Sequence, residues 1–154
     1  KSGDEGVLIS QGGNDAGYAL WIKDDKLFYV HNYVGRAFYY VKSSEAVPEG
    51  RHKLRYEFEM TGPPDIAKGK GAPGKGQLYF DGKLVGQGEI PVTTPLTLGL
   101  TGGVYIGGDP GSPVAPDYEP PFHFTGELHS ATVDVSGELI EDDELTLRRY
   151  LASQ

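Results

Sequence analysis

The 154-residue sequence contains no cysteine. A disulfide framework, a thiolate metal site and a cysteine nucleophile are therefore all excluded. Positive charge is scarce. With 14 Lys and Arg against 22 Asp and Glu, the formal net charge is -8, which argues against the basic footprint that non-specific nucleic-acid binding requires. Apolar runs are short, and none approaches the roughly 18 residues of a membrane-spanning helix. There is no secretory leader pattern, and the first residue is Lys1 rather than Met. We expect the sequence to be a processed piece of a longer polypeptide, with targeting information carried by the rest.

What the sequence does have is punctuation. Its 23 Gly and 11 Pro divide it into short segments and favour many turns over long helices. Hydrophobic residues make up 38%, enough to exclude disorder by composition, and the length suits one domain spanning residues 1–154. Expected strands are Val7 to Ile9, Tyr18 to Lys23, Lys26 to Tyr33, Arg36 to Val41, Gln77 to Phe80, Lys83 to Ile90, Leu96 to Leu100, Val104 to Ile106 and a long one from Phe124 to Val135. The runs up to Val41 are rich in β-branched or aromatic residues and bounded by turn formers. The clearest alternation runs from Lys53 to Met60. Leu54, Tyr56, Phe58 and Met60 share one face, and Lys53, Arg55, Glu57 and Glu59 the other. Asp81-Gly82 is a two-residue hairpin signal. Acidic residues 141–144 followed by Leu147, Arg148, Arg149, Tyr150 and Leu151 predict one short helix over 142–152. The expected fold is all-β, a two-sheet antiparallel sandwich with this C-terminal helix.

Several segments resemble a known family. Leu78-Tyr79-Phe80-Asp81-Gly82, Gly103-Val104-Tyr105-Ile106-Gly107-Gly108 and Phe124-Thr125-Gly126-Glu127-Leu128 resemble the laminin-G/concanavalin-A-like jelly-roll pattern. Gly6 to Gly13, Gly17 to Asp24, Gly107 to Val114 and the final helix look like the C-terminal region of bacterial arylsulfatases, in order along nearly the whole chain. The resemblance implies a sulfuric ester hydrolase as parent, with calcium or magnesium and formylglycine in its catalytic domain. It also implies further sandwich sequence upstream of Gly6. The formylglycine precursor, a Cys or Ser in a C/S-x-P-S-R motif, is absent here, and Ser112-Pro113 does not continue into it. The expected function is thus a non-catalytic accessory domain. It would pack on the catalytic domain of the same parent, or on another copy of itself, and shape the cleft or oligomer. An independent carbohydrate-binding module is the alternative.

Other motifs are weak. Gly69-Lys70-Gly71-Ala72-Pro73-Gly74-Lys75-Gly76 matches the start of a phosphate-binding P-loop, but Gly76 replaces the metal-holding Ser or Thr and a strand follows. Glu57 and Glu59 place two carboxylates on one strand face, as retaining glycosidases do, but Thr61 follows Met60 and no third carboxylate keeps step. His31, His52, His123 and His129 lack metal-ligand spacing, and no Gly-x-Ser-x-Gly elbow occurs. Asp15, Asp109 and Asp117 lie in Gly/Pro-rich loops that could offer oxygens to calcium or make Asx turns instead. Tyr18 to Tyr40 carries eight aromatic residues, with adjacent pairs on opposite strand faces. A face containing Trp21, Tyr29 and Tyr39 is therefore expected to contact a partner or a glycan.

Overall fold

The structure, a computed structural model, describes residues 1–95 and 103–137. Its described part is all-β. A five-stranded antiparallel sheet has the order β4-β3-β2-β1-β8, and a three-stranded antiparallel sheet has the order β5-β6-β7. The strands are β1 (Gly6–Gly13), β2 (Ala16–Lys23), β3 (Lys26–Tyr33), β4 (Ala37–Lys42), β5 (Leu54–Met60), β6 (Gly74–Phe80), β7 (Lys83–Ile90) and β8 (Val104–Ile106). The only helical element among the described residues is a 3-10 turn at Ile66–Lys68. The expected strand at 96–100 and the expected helix at 142–152 both lie wholly within the residues not described.

The meander from β1 to β4 follows directly from local turn chemistry. Asp24 and Asp25 both adopt positive φ, as do Asp81 and Gly82, which matches the right-handed twist of the strands they join. Registers are regular except for two irregularities, between Val7 and Ile9 in β1 and between Leu78 and Tyr79 in β6. Burial then separates two clusters. The first lies between the sheets and holds Leu20, Ile22, Leu27, Tyr29, Val41, Leu78, Phe80, Val85 and Ile90. Here Tyr29 stacks on Tyr56 across the sheets, with centroids 3.5 Å apart. Gly76 makes room for that approach, because a Cβ there would meet Tyr56 and Val41 atoms at 2.9 Å. The second cluster lies on the opposite face of the large sheet. Val7, Ala19, Trp21 and Val30 pack there under Val114, Ala115 and Tyr118 from the Pro-rich loop.

One expected strand does not form. Phe124 to Val135 has strand composition, yet among the described residues it joins no ladder. Its start is tied down by a parallel bridge between Val7 and His123, by the Phe124 N–H donating to the Gly107 carbonyl at 3.1 Å and by the Thr125 N–H donating to the Glu5 carbonyl at 2.9 Å. Composition makes a segment compatible with a sheet, but a strand also needs an unpaired neighbour within reach.

Candidate functional site

The aromatic sheet was the first candidate. In an antiparallel ladder directly opposed residues share a face. Trp21 is opposite Phe28, whereas Tyr29 is opposite Leu20 and Val41. Trp21 therefore lies on the loop-covered face, and Tyr29 and Tyr39 lie on the face toward the second sheet. Trp21 is 1% exposed and Tyr29 7%. The expectation of one exposed face carrying all three is corrected. The doubled apolar character of these strands is absorbed by two cores, because the loop from Asp109 to Phe122 covers what a two-sheet sandwich would leave open. What stays accessible on that side is Tyr40, with Phe28 and Phe38 half-buried beside it. Tyr40 meets Trp21 edge-on, and its hydroxyl donates to the Asp117 carboxylate.

That loop is held by polar groups which the sequence reading had not singled out. Asn32 is buried in β3. Its Nδ2 donates to the carbonyls of Gly13, Asn14 and Val114 at 2.9–3.0 Å, sharing two hydrogens among three acceptors. Its Oδ1 accepts from the Gly35 N–H at 2.8 Å. One side chain thus ties the β1–β2 turn, the β3–β4 turn and the covering loop together. Asp109 is 1% exposed, and its Oδ2 accepts from the Tyr118 hydroxyl. Burial first, and that hydrogen bond second, hold the Tyr118 hydroxyl well above the ordinary tyrosine range. The available signal for Asn32 was an amide at an apolar-face position of a strand, where Asn is disfavoured.

Asp15, Asp109 and Asp117 do not come together as a metal site. Among the described residues no group of three His, Cys, Asp or Glu could hold an ion. Oxygens of Asp109 and Asp117 accept tyrosine hydroxyls, and the Asn14 carbonyl accepts from Asn32.

One carboxylate of β5, Glu57, has a structural explanation. Arg55 Nε lies 3.4 Å from Glu57 Oε1, and its guanidinium sits 4.4 Å from the Tyr79 ring centroid. The Gly-rich loop runs straight into β6 at Gly74, so no helix N-terminus faces it. No family model, curated protein or solved structure matches this chain.

Two histidines have defined roles. His52 Nδ1 lies 2.6 Å from Asp81 Oδ2, and its Nε2 lies 2.7 Å from the Glu49 carbonyl. A carbonyl only accepts, so Nε2 carries its proton there and offers no lone pair to a substrate. The Asp81 hydrogen bond, then the Glu49 carbonyl, raise the His52 pKa. This His–Asp pair clamps the β6–β7 hairpin rather than forming a catalytic base. His31 is the reverse case. Burial pushes its pKa down to about 4, and its Nε2 accepts from the Thr94 backbone N–H at 2.9 Å. It is a neutral acceptor that anchors the segment following β7.

Proposed function

We propose that this chain is a non-catalytic, concanavalin-A-like β-sandwich domain at the C-terminal end of an arylsulfatase, working by packing against other polypeptide. The sulfatase part of this reading rests on the sequence segments that resemble that family. The packing part is supported by one structural observation. Phe58 and Met60 of β5, and Val104 and Ile106 of β8, lie on faces directed between the two sheets, yet they are 38%, 62%, 43% and 51% exposed. Inward-directed apolar side chains left in water mark a surface that another element covers.

The reading is tested by expressing residues 1–154 alone and within the full-length polypeptide that carries them. The isolated domain should leave an aryl sulfate unhydrolysed, and deleting it from the full-length protein should impair assembly or solubility. Aryl-sulfate turnover by the pure domain, abolished by a substitution within it, would contradict the reading. Tyr40, exposed beside Phe28 and Phe38, favours carbohydrate binding as the second reading. A glycan-array signal lost in Tyr40→Ala would establish it.

A further inference from the structure

The Asp109–Phe122 loop covers the outer face of the large sheet at Ala19, Trp21 and Val30, and β4 beside it stays accessible. Phe38, Tyr40 and Lys42 alternate along β4 with Tyr39 and Val41, so they share the face that Trp21 occupies. Tyr40 and Lys42 are exposed. Tyr40 is nevertheless not free to turn. Trp21 meets its ring edge-on at 6.5 Å, and its hydroxyl donates to the Asp117 carboxylate. Asp117 is placed in turn by its own carbonyl, which accepts from Lys23 Nζ at 3.0 Å, and by its neighbour Tyr118, buried against Trp21. An exposed ring already fixed in this way loses little side-chain entropy when a flat ligand lies on it.

Lys42 adds a charge to that ring. Its Nζ lies over the Phe28 ring, 5.2 Å from the centroid, and Phe28 stacks on Trp21. Lys68 and Lys83 pair with Asp65 and Glu45, whereas among the described residues no carboxylate forms an ion pair with Lys42. The chain as a whole carries a net charge of -8, so its overall field repels anions. An anion is held on this face only by local contact with an uncompensated cation. Two residues along one strand place Lys42 about 7 Å from Tyr40.

We infer that the outer face of β4 at Tyr40 and Lys42 binds an acidic oligosaccharide. The apolar face of one pyranose ring lies on Tyr40. A hydroxyl of the sugar donates to Asp117, whose carboxylate only accepts. The carboxylate or sulfate ester that the sugar carries meets the Lys42 ammonium. A pyranose unit supplies a flat apolar face, hydroxyl donors and an acidic substituent within that one span, whereas an acidic peptide supplies its carboxylate without such a face beside it. The inference deepens the carbohydrate reading and rests on it. It does not depend on the parent being a sulfatase.

The test is an amide NMR titration of residues 1–154 with two matched pairs of sugars. Trigalacturonate is compared with its methyl ester, and a sulfated galactan tetrasaccharide with its desulfated form; the pair that discriminates identifies the anion as carboxylate or sulfate. In at least one pair the acidic member should shift the β4 amides and bind about fivefold more tightly than its neutral partner. Tyr40→Ala should weaken both members by about tenfold. Lys42→Gln should bring the acidic member down to the neutral one. Lys75→Gln, between Glu59 and Glu89 in the small sheet, removes the same charge elsewhere and should leave the preference intact. Tyr40 and Lys42 are exposed, so the ligand-free spectra of these variants should match the parent, which separates loss of binding from loss of fold. Equal binding within both pairs, unaffected by Lys42→Gln, would overturn the acidic-sugar inference and leave the carbohydrate reading standing. No binding by any of the four would sink both. A polyglutamate peptide bound at β4 as tightly as the acidic sugars would show recognition by charge alone and would also overturn the inference.

Discussion

Trp21→Ala separates a buried anchor from a docking residue. The side chain is 1% exposed. It stacks on Phe28 at 5.3 Å with planes 9° apart, lies 5.4 Å from Tyr118 and meets Tyr40 edge-on at 6.5 Å. Removing it deletes the centre of the cluster that holds the Asp109–Phe122 loop against the sheet. The cost has two parts: lost transfer of the indole from water, and a cavity that the sheet backbone cannot close. Together these amount to about 3–5 kcal/mol for an aromatic truncated to alanine. A domain of this size has on the order of 5–15 kcal/mol in total, so the variant should lose a large fraction of its stability. At about 2 kcal/mol per M of urea, the midpoint should fall by about 2 M. Far-ultraviolet circular dichroism is the suitable probe, because the substitution removes the only tryptophan. A loss below about 1 kcal/mol would refute the burial argument and return Trp21 to the surface.

Other outcomes follow from the polar groups. His31 stays neutral in the fold to about pH 4, while the unfolded chain protonates it near 6.5. At about 1.4 kcal/mol per tenfold change in proton affinity, its contribution to stability should fall by about 3 kcal/mol as pH drops from 6.5 to 4, with no change above 7. His31→Gln should remove that part of the slope, and an unchanged slope would contradict the assignment. Tyr118→Phe leaves the buried Asp109 carboxylate without its donor and should cost about 2 kcal/mol. Tyr40→Phe, at the exposed Asp117 pair, should cost less than about 1 kcal/mol, and equal losses by urea titration would show that burial does not distinguish them.

Strand existence was legible because it is local. The alternation from Leu54 to Met60, the Asp24-Asp25 and Asp81-Gly82 turns and the two-residue period predicted β2 to β8 to within a few residues. Face assignment was only half legible. Adjacent aromatics such as Phe28-Tyr29 must diverge, but which face is covered depends on a loop some eighty residues away. Sequence distance also hid Asn32, whose acceptors Gly13 and Asn14 lie 19 and 18 residues away and Val114 82. Residues 124–135 failed in the other direction. Their composition is that of a strand, while pairing is a property of what lies beside them.

The central proposal is that other polypeptide covers the exposed side of this chain that carries Phe58, Met60, Val104 and Ile106. Amide hydrogen exchange of residues 1–154, compared in isolation and within the full-length polypeptide, tests it most directly. The account predicts added protection at Leu54–Met60 and Val104–Ile106, with Phe38 and Tyr40 unchanged. Added protection at Phe28, Phe38 and Tyr40, with β5 and β8 still exchanging as in the isolated domain, would contradict it.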